Sequence, residues 1–75
     1  MPDIHFTVVL RGYDPAEVDE LIGQANLALA WTDRAARSAL ERKLRQPELR
    51  TRMRGYDRSQ VHARLAILAD QLAAR

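Results

Sequence analysis

The chain has 75 residues, no cysteine and a formal net charge of +2. That length allows one small domain with a modest core, and the missing cysteines exclude disulfides and thiolate metal sites as sources of stability. His5 and His62 are the only histidines and lie far apart in sequence, a spacing that predicts ordinary surface imidazoles and no metal site. The opening MPDIHF lacks a basic segment followed by a long apolar run, so no secretory signal is expected. No stretch approaches the roughly 20 apolar residues that span a bilayer. The expected location is the cytoplasm, with any membrane contact peripheral, on the inner face of the plasma membrane.

In chain order, the first element is an alternating stretch. Phe6, Val8 and Leu10 fall on one side, Thr7, Val9 and Arg11 on the other, the period of two of an extended segment. A turn at Gly12-Tyr13-Asp14 follows. Apolar residues then recur at Val18, Ile22, Ala25, Leu29, Thr32, Ala36 and Leu40, with Leu21 and Leu44 flanking. This stripe predicts a helix from residue 15 to about 45, roughly 46 Å long at 1.5 Å per residue. Trp31-Thr32-Asp33 is a possible earlier break. Leu27 and Trp31 fall on a second face, away from the main stripe, and predict a second contact surface. Gln46-Pro47 interrupts the helix. Leu49, Thr51 and Met53 then alternate with Arg50, Arg52 and Arg54, an edge strand with one cationic side. A last helix from residue 58 to near the end carries Val61, Leu65, Leu68 and Leu72.

The two extended-to-helical units are copies of each other. A shift of 43 positions lays Arg11-Gly12-Tyr13-Asp14 on Arg54-Gly55-Tyr56-Asp57, Val18 on Val61, Leu29 on Leu72 and Ala30 on Ala73. The chain therefore reads as one domain of two diverged repeats, about 6–30 and 49–73, joined by a helical and basic linker at 31–48. The fold class expected is mainly α: two short extended segments, each leading through an RGYD turn into a helix, one long and one short. Val18, Ile22, Ala25 and Leu29, with Val61, Leu65, Leu68 and Leu72, keep the +4, +3, +4 increments of a coiled-coil seam.

Each turn has a readable grammar. Gly12 and Gly55 suit a positive φ or a close backbone approach. Tyr13 and Tyr56 can pack their rings and keep the hydroxyl wet. Asp14 and Asp57 are placed as helix N-caps, and Pro15 fits a first helical position. Glu17 and Gln60 stand three residues after the aspartates, the spacing of capping boxes.

At FTVVLRGYDPAEVDELI the sequence resembles the N-terminal signature of DivIVA-domain proteins of Gram-positive bacteria. Arg11, Gly12, Tyr13, Asp14, Glu17, Val18, Asp19 and Leu21 match, and the preceding DIHF is similar to the usual opening. The second copy matches through Arg54, Gly55, Tyr56, Asp57 and Val61, with Gln60 and His62 replacing acids. Eleven arginines, one lysine and twelve alanines agree with a GC-rich bacterial source. The resemblance implies a scaffold at cell poles and division sites. It implies dimeric heads with crossed extended segments leading into a parallel coiled coil. It also implies an exposed apolar residue beside an arginine that meets the bilayer: Leu10-Arg11 and Met53-Arg54 by position. The long coiled-coil tail of that family has no counterpart in these 75 residues, and Leu10 stands where an aromatic is frequent.

Charge adds a partner expectation. Residues 1–33 carry one base against six acids, −5, whereas residues 34–58 carry nine bases against three acids, +6. A straight first helix would keep the two heads apart in one chain, so two antiparallel chains are expected to bring the first repeat of one onto the second repeat of the other. The function expected is a non-enzymatic interaction or scaffolding module, working with a second copy of itself or docked on a larger protein. No phosphate loop, nucleophile elbow or metal-ligand spacing is present, and no cofactor is expected. Asp14, Glu17, Asp19 and Glu20 cluster at a helix start, where negative charge is structurally useful. Two alternatives follow from the arginines: binding to an anionic membrane surface, or to nucleic acid. The basic tract is broken by Glu41 and Glu48 and shows no groove-reading motif, which favours a solvated face over the nucleic-acid reading.

Overall fold

A computed structural model describes residues 6–74; His5 and the opening residues before it lie outside the described region. Five elements follow in chain order: β1 (Val8–Tyr13), α1 (Pro15–Ala28), α2 (Arg34–Arg45), β2 (Thr51–Tyr56) and α3 (Arg58–Ala73). The structure is mainly helical, with both strands joined in one two-stranded sheet.

The expected long helix is not continuous. It stops at Ala28, and the chain reverses over residues 29–33. The reversal has local causes. Ala30 N and Trp31 N donate to the carbonyls of Leu27 and Ala28, tightening the end of α1. Asp33 then caps α2, its carboxylate accepting from Ala35 N and Ala36 N at 3.0 and 3.2 Å. Folding back lets α2 bury Leu40 and Leu44 against α3, a surface that a straight helix would leave in water.

The reversal also corrects the expectation that the heads meet only across chains: β1 pairs with β2 of the same chain. Val8 faces Tyr56, Val9 faces Gly55, Leu10 faces Arg54, Gly12 faces Arg52 and Tyr13 faces Thr51. Partner numbers fall as β1 advances, so this pairing is antiparallel. The segments also cross, bringing Tyr13 beside Tyr56.

The seam expected between helices is closed inside the chain. Val18, Ala25, Val61, Leu65, Leu68 and Leu72 all lie in one buried cluster with Leu21, Ala28, Leu40, Leu44 and Ala69. Ile22 packs on its edge, while Leu29, past the end of α1, is exposed. Phe6, Leu49, Tyr13 and Tyr56 close the cluster where the strands begin and end. No polar side chain is buried among the described residues.

Candidate functional site: the crossed turns and their tips

Close approach at the crossing explains the two RGYD copies. A Cβ on Gly12 would lie 2.3 Å from the carbonyl carbon of Gly55, and a Cβ on Gly55 would lie 2.3 Å from the carbonyl oxygen of Tyr13. Neither distance is tolerable, so both glycines serve backbone contact. Neither has a positive φ. Arg11 takes the left-handed conformation instead, at φ 63°, which costs an L-residue roughly 1–2 kcal/mol.

Around the crossing, hydrogen bonds come in pairs related by the 43-residue shift. Asp14 N donates to Arg50 O and Asp57 N to Thr7 O, both at 2.8 Å. Arg50 N donates to Glu17 Oε1 at 2.8 Å and Thr7 N to Gln60 Oε1 at 2.7 Å. Tyr13 Oη and His62 Nε2 share a hydrogen bond of 2.6 Å, and Tyr56 Oη donates to Asp19 at 3.3 Å. Asp14 and Asp57 act as N-caps, accepting from Ala16 N and from Ser59 N and Gln60 N. The capping boxes, however, do not close. The N–H groups of Asp14 and Asp57 are taken by the opposite repeat, and Glu17 and Gln60 reach across to that repeat too. The expected capping boxes are thus corrected: Glu17 and Gln60 accept from Arg50 N and Thr7 N of the other repeat.

The far ends of α1 and α3 are tied in the same two-fold manner. Arg37 Nη1 donates to the carbonyls of Ala28, Leu29 and Trp31 at 3.2, 3.1 and 3.0 Å. Its Nη2 donates to Leu72 O at 3.0 Å and Gln71 O at 3.5 Å. Leu29 and Leu72 are repeat mates, so one planar fork serves both helix ends. Nothing in the sequence singled out Arg37 among the basic residues of the linker; only the carbonyls brought together by the fold reveal its role. Beside it lies an open groove of about 810 Å³ lined by Leu29, Trp31, Arg34, Leu72 and Ala73. Trp31 and Leu27, the expected second contact face, remain 43% and 71% exposed.

The residues named from the sequence as membrane contacts are exposed. Leu10 and Met53 are 75% and 77% exposed, each followed by an exposed arginine, Arg11 or Arg54. Arg50 and Arg52 lie 3.6 and 3.7 Å from Glu17 and Asp14, so part of the acidic-to-basic attraction expected between chains is made within one. These exposed pairs contribute little stability. Burial, the charge of Asp19 and the hydrogen bond to it raise the pKa of Tyr56 above the usual phenol value. The Ser59 hydroxyl, with the Gln60 and Ser59 N–H groups, lowers that of Asp57.

No three of His, Asp or Glu converge on a metal-sized space among the described residues, and none of the described helices is long and apolar enough to cross a membrane. Comparison with protein-family models, curated proteins and solved structures finds no match for this chain.

Proposed function

We propose that this chain is a non-enzymatic interaction and scaffolding module of the DivIVA-domain kind, an accessory unit that docks on a larger bacterial assembly. The contact surface is the twin tip. The observation that carries this reading is the placement of Leu10 and Met53. They are equivalent in the two repeats, and both are held in water on a base that both repeats build. An apolar side chain kept that exposed on a paired strand gains nothing for folding. The left-handed Arg11 beside Leu10 is a local strain of the sort found at binding surfaces. The two extended segments cross within one chain, whereas the resemblance read from the sequence implies a crossing between chains. Self-association completes the proposal: a second copy covers the exposed Leu27 and Trp31 and doubles the number of tips. Photo-crosslinkers placed at Leu10 and at Met53 in the cell of origin, with one at Ile67 as control, test the reading. The tips capture the same protein and Ile67 does not; capture at Ile67 alone would sink the proposal.

A second reading is favoured by the same tips. An apolar residue flanked by arginines suits the surface of an anionic bilayer, where each basic residue adds about 1 kcal/mol. Two inserted side chains bind weakly alone. Sedimentation with anionic and with neutral vesicles decides: retention on anionic vesicles that is lost in Leu10→Ser/Met53→Ser supports it, and equal recovery from both vesicle types rejects it.

A further inference from the structure

The two strands differ in what they display. Arg50, just before β2, and Arg52 and Arg54 within it are exposed and recur at every second residue, so the strand's period of two sets them on one side. Thr51 and Met53, also exposed, stand on the other side. In the first repeat Thr7 and Val9 take the places of Arg50 and Arg52. Thr7 and Arg50 make matched contacts in the interlock, and these run through backbone: Asp57 N donates to Thr7 O, and Asp14 N to Arg50 O. The fold therefore asks for no cation at either place. Nor are these side chains tied down. Arg50 stands 3.6 Å from Glu17 and Arg52 stands 3.7 Å from Asp14, with exposures of 86% and 62%, whereas Arg45 meets Glu41 and Asp70 at 2.9 and 3.0 Å. β2 has β1 as its one strand neighbour among the described residues, so its far edge carries backbone groups that face no strand.

We propose that the docking partner adds an extended segment to this free edge of β2, with acidic side chains at alternate positions against Arg50, Arg52 and Arg54 and apolar ones between them against Met53. The inference rests on the reading of the tips as a docking surface and names the chemistry of the partner. Charge complementarity sets the acids. Alternate side chains of a strand lie about 7 Å apart, and carboxylates on every second residue of an added strand share that spacing and that face. The open backbone edge sets the class of partner: a polypeptide strand satisfies successive N–H and C=O groups, which lipid headgroups and nucleic-acid phosphates do not. Met53, 77% exposed on the opposite side of the strand, sets the apolar residues between the acids. Exposed ion pairs are each weak, so recognition comes from several in register with a backbone ladder. β1, with Thr7 and Val9 in the matching places, has no such stripe, so each chain binds one segment.

Fluorescence anisotropy of the full chain with a labelled peptide alternating glutamate and valine tests this. The comparison peptides are one of the same composition with its glutamates contiguous, and one with glutamine for every glutamate. The alternating glutamate peptide should bind about fivefold or more tightly than either. Arg52→Gln/Arg54→Gln should weaken its binding about tenfold, while Arg42→Gln/Lys43→Gln, an equal loss of charge on the exposed side of α2, should leave it within about twofold. Arg52→Glu/Arg54→Glu should bind the alternating peptide built with lysine, which the parent rejects; gained binding shows that the variant is folded. Amides of β2 should become protected from hydrogen exchange in the complex. Equal binding of the contiguous-glutamate peptide, or no added protection in β2, overturns the strand addition. Binding to anionic vesicles or to a single-stranded oligonucleotide, with none to the alternating peptide, overturns the acidic partner and assigns the arginines to phosphate. If the peptide fails while photo-crosslinkers at Leu10 and Met53 still capture a protein, docking at the tips stands and only the proposed chemistry of the partner falls.

Discussion

Gly12 and Gly55 press backbone against backbone: a Cβ on Gly12 would meet the Gly55 carbonyl carbon at 2.3 Å, and one on Gly55 would meet the Gly12 carbonyl carbon at 2.6 Å. Both obstacles are backbone, which cannot swing aside as a long side chain would. Gly12→Ala and Gly55→Ala should each destabilise the fold by about 3 kcal/mol or more. Gly23 provides the contrast. It lies in α1 with nothing within 4 Å of the place its Cβ would take. Gly23→Ala should stabilise by about 0.5–1 kcal/mol through helix propensity. Urea unfolding of the three variants checks both signs at once.

Arg37 gathers the carbonyl ends of the two repeat helices with one guanidinium. Arg37→Met keeps much of the stem but leaves those carbonyls without their donor, and should cost about 2 kcal/mol. Arg37→Lys should recover only part of this, because an ammonium cannot span Leu29 O and Leu72 O as a flat fork does. Equal stability of the lysine variant and the parent would show that charge near the helix ends, and not the fork, matters.

Two groups give the stability curve opposite pH limbs. Tyr56 has a raised pKa in the folded chain, so its stabilising effect is complete below the unfolded value of 10.0 and is lost as pH rises through the folded value. Asp57 has a lowered pKa, so its effect is present above the unfolded value of 3.8 and is lost as pH falls through the folded value. Thermal melts across pH should show the parent's advantage over Tyr56→Phe shrinking on the alkaline side. Its advantage over Asp57→Asn should shrink on the acid side.

Much of this architecture could be read from residue order. The 43-residue repeat, the two aspartate caps and the apolar stripe of α3 follow from periodicity and from side-chain chemistry that acts over a few residues. The reversal after Ala28 was harder, since Leu29-Ala30-Trp31 favours a helix locally and only Asp33 marks a new start. What decided it is non-local: Leu40 and Leu44 find α3 when the chain turns back. The same limit governed Glu17 and Gln60. Their spacing fits a capping box, and nothing nearby says that Arg50 N and Thr7 N will compete for their oxygens. Leu10 and Met53 were legible as a pair because the repeat puts them at one position, yet their exposure required the fold.

The tips should be separable from stability. Leu10 and Met53 bury little, so Leu10→Ser and Met53→Ser should each change unfolding free energy by less than about 0.5 kcal/mol. If either unfolds the chain, the tip is part of the fold and not a free contact surface; chemical denaturation of the purified variants reads this directly.

The account depends most on the two repeats closing upon one another. Amide hydrogen exchange at Asp14 and Asp57, whose N–H groups are bonded to Arg50 O and Thr7 O, tests that closure residue by residue. Both amides should be protected, to a matched degree, and should exchange only in openings that also release the core of α3. Exchange of either at the rate of an unstructured amide, while α3 stays protected, would contradict the interlock.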